Sequence, residues 1–171
     1  MLRSLEEINA CDQAAFTAAL GHLFEHSPWV AAETWPRRPF RDALHLHEEL
    51  CATMRRAPRD RQLALIRAHP DLAGRLAQQR KLTLESAREQ ASAGLNQLAE
   101  AELIRFQEMN ARYRERFGFP FIICARLNAR EAILAAMSAR LESTPEAEFA
   151  TALGEIEKIA WLRLQDVVAS K

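Results

Sequence analysis

The sequence predicts an all-α protein, and three observations carry that reading. Alanine, leucine, glutamate, arginine and glutamine, which are among the better helix formers, dominate the 171 residues. Apolar side chains recur at helical spacing along most of the chain. Only FPFIICAR (Phe119 to Arg126) reads otherwise, being aromatic and β-branched. With no second such run to pair with, it cannot build a sheet. The length suits one domain, 1–171, with enough chain for a sizeable core. The expectation is therefore a single-domain helical bundle in which about 119–126 crosses the core as an extended segment.

Ser4-Leu5-Glu6-Glu7 reads as a capping box and opens a helix carrying Ile8, Phe16, Leu20 and Leu23. Ser27 to Phe40 holds three prolines and two tryptophans, so a packed loop with a short helical turn is expected. A helix from about Arg41 to Arg56 should end before Pro58. Asp60 is placed to cap the next, with Leu63, Leu65 and Ile66, which breaks at His69-Pro70. Pro70 suits the first position of a short helix through Arg80. Thr83 reads as an N-cap for a helix to about Ala93 that Gly94 closes. Ala99 to Phe117 is amphipathic and stops at Gly118. Beyond the extended run, helices are expected over about Asn128 to Glu142 and from Thr144-Pro145 to Val168.

With 23 basic and 23 acidic side chains, formal charge is zero. That balance argues against nucleic acid or a membrane surface as partner, both of which favour a basic excess. The N-terminus lacks a signal-peptide core, and no run of about 18 apolar residues occurs, so a cytoplasmic protein is expected. Cys11, Cys51 and Cys124 are far apart and form no C-x-x-C, as reduced buried thiols would. His22/His26 and His45/His47 lack the spacing of a complete ligand set, so no metal is expected.

Three clusters bear on chemistry. His69 stands at the break before Pro70, where an imidazole side chain can point into a cleft; the plainer reading is a cap before the next helix. Asp71 would lie near that helix's start, favoured by the backbone dipole, in a structural role. Ser86, Glu89 and Gln90 lie three and four apart and share one helix face, as exposed polar side chains also would. The extended run ending in Arg126 offers irregular backbone and a guanidinium able to grip a carboxylate, or merely a strand with a capping arginine. Together they favour proton transfer on a small polar anion without a cofactor.

The combination AHPDLAGRL, then LTLESAREQASAGLNQL, then Phe106, Met109-Asn110, Tyr113 and RFGFPFIICAR resembles the decarboxylases of 2-oxo-4-hydroxy-4-carboxy-5-ureidoimidazoline (OHCU) in urate degradation. The resemblance implies an all-helical, often homodimeric enzyme converting this small molecule to (S)-allantoin and CO2 with no metal or organic cofactor. By the same resemblance His69 is the catalytic acid/base and Glu89 its carboxylate partner, with Pro70, Ser86 and Gln90 at the substrate. Backbone contacts are expected from Phe121, Ile122, Ile123, Cys124 and Ala125, and a contact to an anionic group from Arg126. Two other readings compete: a non-catalytic ligand- or partner-binding module on this scaffold, and a thiol-based redox protein using Cys124.

Overall fold

The computed structural model describes residues 2–74 and 81–169, and it is all-α. The chain divides into two compact units, one of Met1–Ala68 with Glu157–Lys171, the other of His69–Ile156.

In the first unit, the Glu7 N–H donates to Ser4 Oγ at 3.1 Å and the Ser4 N–H to Glu7 Oε2 at 2.7 Å, completing the expected capping box of α1 (Leu5–Ala10). The single helix expected here is instead two. Asp12 accepts the Ala15 N–H at 2.8 Å and starts α2 (Gln13–Leu20), a second cap that the continuous apolar pattern concealed. A 3-10 turn, Gly21–Leu23, follows. The proline-rich stretch holds α3 (Trp29–Thr34) and a further 3-10 turn, Trp35–Arg37. Asp42 caps α4 (Ala43–Arg56), whose inward face carries Leu46, Leu50, Cys51 and Met54. In α5 (Arg59–Ala68) the first N–H groups of Arg61 and Gln62 find the Pro58 carbonyl, so Asp60 lies within the first turn and is not the cap. Arg163, 3% exposed, donates to Glu25 at 3.1 Å and to the His22 carbonyl at 3.2 Å.

The second unit begins with the His69-Pro70 break. The helix expected from Pro70 does not start there: residues 70–74 form a turn, and the rest of that expectation lies outside the described residues. Thr83 caps α6 (Leu84–Ser92), and Gly94, at φ +75°, follows its end as expected. Along α7 (Glu100–Phe117) the buried face is Phe106, Met109, Asn110 and Tyr113. Gly118 adopts φ +74°, a conformation open to glycine, and turns the chain out of the helix.

Residues 119–124 then run without regular secondary structure, and Phe119, Phe121, Ile122, Ile123 and Cys124 are all buried. The extended run is shorter than expected, because Ala125–Leu127 closes into a 3-10 turn through the Leu127 N–H to Cys124 carbonyl bond. Aromatic edges seat it: Tyr113 meets Phe121 edge-on at 5.2 Å, and Phe119 meets Phe149 at 6.4 Å. Each such ring removed from water contributes about 1.5–3 kcal/mol. Helix α8 is Arg130–Arg140, shorter at both ends than expected. Helix α9 (Pro145–Gln165) begins at Pro145 as expected and stops before Val168, which forms an isolated parallel bridge with Arg3.

Candidate active site

Because Pro70 cannot continue α5, the chain turns sharply at His69, which is 6% exposed with its Nε2 atom buried. Beyond it the backbone is strained. Ala73 has φ +49°, a region that costs a residue with a Cβ on the order of 1–2 kcal/mol. Gln90 of α6 reaches this turn: its Oε1 accepts the Ala73 N–H at 3.0 Å, and its Nε2 donates to the Asp71 carbonyl at 3.4 Å. Asp71 lies in this turn and not in the expected first turn of a helix, where the backbone dipole would favour it; its carboxylate instead receives Arg114 Nε on both oxygens at 2.9 and 3.1 Å.

Helix α6 presents the second cluster. Ser86 and Gln90 are each 5% exposed and Glu89 is half-buried, so the polar face expected from the spacing is turned inward. This helix packs against the Ala125–Leu127 turn. Burial pushes the Cys124 thiol upward, and the charges of Glu155 and Glu89 add to the push, which places Glu89 within electrostatic reach of the extended run.

The extended run is braced through its backbone. Glu155 of α9 accepts the Cys124 N–H at 2.8 Å, and Arg140 of α8 donates to the Ile122 carbonyl at 2.8 Å. Arg140 also lies over the Phe121 ring, 4.3 Å from its centre, and forks onto Glu148, which accepts the Tyr113 hydroxyl as well. Burial pushes Glu148 up to about 8 and Arg140 down to about 10; the Glu155 charge adds to the first shift and opposes the second. The fork and the phenol supply the bonds that offset this desolvation.

Of the residues marked from sequence, His69, Pro70, Ser86, Glu89, Gln90 and the Phe121–Ala125 run belong to one unit, and α6 touches the other two clusters through Gln90 and the Ala125–Leu127 turn. Arg126 is exposed on that turn. Sequence reasoning gave no role to Asn110, which it noted only within the resemblance, and did not single out Arg140, Glu148 or Glu155. Glu148 and Glu155 are seven apart and so share a helix face, a readable signal; Arg140 carries none.

The OHCU decarboxylase family model matches residues 9–165. The chain belongs to the OHCU decarboxylase family. A mouse OHCU decarboxylase is 43% identical, the match covering 96% of this chain and 92% of the relative. The solved structure of an (S)-allantoin synthase superposes with TM-score 0.74 at 31% identity, covering 96% of this chain and 54% of that one. An OHCU decarboxylase crystallised with (S)-allantoin shares the fold, with TM-score 0.68 at 21% identity over 91% of this chain and 97% of that one.

For an OHCU decarboxylase, the two buried thiols, Cys51 and Cys124, are poorly suited to act as nucleophiles. Burial pushes Cys51 up to about 12, with Glu157 adding and Arg55 opposing, and Cys51 sits 3.3 Å from His47 Nε2. Cys124 is 1% exposed and also raised, which argues against the redox reading.

Proposed function

We propose that this chain decarboxylates OHCU to (S)-allantoin and CO2 in urate degradation, without a metal or organic cofactor, with His69 as acid/base and Glu89 as its carboxylate partner. The single observation that carries the residue assignment is the buried His69 at a proline break whose turn is tied by Gln90 to the helix bearing Glu89.

The substrate holds its own electron sink, so no cofactor is required. As the bond to CO2 breaks, its electron pair forms a double bond to the neighbouring ureido-bearing carbon. The C=N pair moves to the ring nitrogen, which takes a proton. The hydroxyl then yields its proton as the carbonyl forms, and the ureido-bearing carbon receives one on a single face. An imidazole titrates near working pH and suits these transfers, while Glu89 orients it. Ser86 and Gln90, with backbone groups of Phe121, Ile122, Ile123, Cys124 and Ala125, hold the ring and ureido amides, and Pro70 lines the site. Arg126, exposed on its turn, meets an anionic group at the entrance. Fixed orientation makes the product chiral.

The span of the family match supports treating 1–171 as one functional domain. No helix among the described residues is long and apolar enough to cross a membrane, which fits a cytoplasmic enzyme, and a homodimer is the expected assembly.

The test follows circular dichroism of allantoin formed from OHCU freshly made from urate. One enantiomer should appear rapidly with the native protein and not with His69→Ala. Racemic product at the uncatalysed rate with native protein would reduce the chain to a binding module on this fold.

A further inference from the structure

We propose that Asn110 is a positioning residue for His69, acting through the turn that follows it; this rests on the catalytic reading of His69. Asn110 lies on the apolar face of α7 and is 5% exposed. Its Nδ2 donates to the Leu72 carbonyl at 2.9 Å, three residues beyond His69. Its Oδ1 is buried and accepts no hydrogen bond among the described residues. Burying an amide with half its capacity unused costs free energy, so the side chain is kept for the bond it gives to the turn.

That turn needs holding. Ala73 stands at φ +49°, and a Cβ on Gly74 would lie 2.7 Å from the Asp71 Cβ, so the backbone here is both strained and tightly folded. Such a conformation persists only where its surroundings over-determine it. The surroundings are two helices. From α6, Gln90 holds the Asp71 carbonyl and the Ala73 N–H; from α7, Asn110 holds the Leu72 carbonyl and Arg114, one helical turn further on, holds the Asp71 carboxylate. Three consecutive residues are clamped from both sides, and the chain entering the clamp is His69-Pro70. Pro70, with φ fixed by its ring, transmits the clamp's position to the imidazole with little slack.

The test compares native, Asn110→Ala and Arg114→Gln proteins. The proposal expects kcat for OHCU to fall on the order of 10- to 100-fold in Asn110→Ala, with KM within about twofold, since misplacement of a catalytic group by about an ångström costs that much. It also expects loss of enantiomeric purity and a displaced titration of the His69 ring, read by NMR of 13C-labelled histidine. Arg114→Gln, at a half-exposed side chain that folding tolerates, should give a smaller change of the same kind and serves alone if Asn110→Ala does not fold. Native kcat, product chirality and His69 titration in the folded variants would overturn the proposal. If native protein fails to turn over OHCU, the decarboxylase reading falls. The His69 titration then still decides the clamp: displaced in the variants it stands, unmoved it falls.

Discussion

Glu155 accepts the Cys124 backbone N–H at 2.8 Å, so a carboxylate on α9 fixes a peptide group in the buried extended run. A charged acceptor makes this bond stronger than a neutral one. Glu155→Ala should leave a buried N–H unsatisfied and lower unfolding free energy by about 1–3 kcal/mol. Glu155→Gln keeps a carbonyl acceptor and should retain most of the stability. Denaturant titration of both variants checks this, and equal losses would show that charge, not the bond, is what matters.

Arg140 and Glu148 should behave as a unit. Removing Glu148 alone, as in Glu148→Leu, strands the Arg140 charge in the interior and should cost about 3–5 kcal/mol, whereas Arg140→Met leaves an acid that takes up a proton and should cost less. The double replacement should cost less than the sum of the singles, as a double-mutant cycle in guanidinium would measure. Strict additivity would contradict the contact.

Thiol labelling should separate the cysteines. Cys11 is half-buried, whereas Cys51 and Cys124 are buried and raised, Cys51 to about 12, so at pH 8 both stay protonated. A disulfide reagent should modify one thiol in native protein and all three in denaturant. Rapid native labelling at Cys124 would revive the redox reading.

The turn after His69 predicts a sharp response to one methyl group. In Gly74→Ala the new Cβ meets Asp71 at 2.7 Å, and its other near contacts there are backbone, so the turn must shift. Melting temperature should fall, by an amount equivalent to about 1–3 kcal/mol, together with turnover. Unchanged melting would mean that the turn has slack.

Much of this was legible in the sequence because it depends on local chemistry. Ser4-x-x-Glu7, Thr83, Gly94 and Gly118 act on groups within a few residues, and each mark lies where a helix starts or stops. Asp12 was missed because an apolar rhythm continued across it, and Pro70 misled because a residue suited to open a helix also suits a turn. The polar face of α6 was visible from its spacing, but its burial was not, since exposed and inward polar faces have the same period. Asn110 left a clue in being an amide on an otherwise apolar stripe with Phe106, Met109 and Tyr113. Arg140 left none, because its partners lie 8 and 18 residues away in sequence.

The division into two units also sorts the chromophores. Trp29, Trp35 and Trp161 all fall in the first unit, and the chain's single tyrosine, Tyr113, lies in the second beside Glu148. Indole emission and phenol absorbance therefore report on different parts of the molecule with no label attached. Recorded together during one thermal scan, coincident curves would mark a single cooperative transition, and separated curves would show which unit yields first.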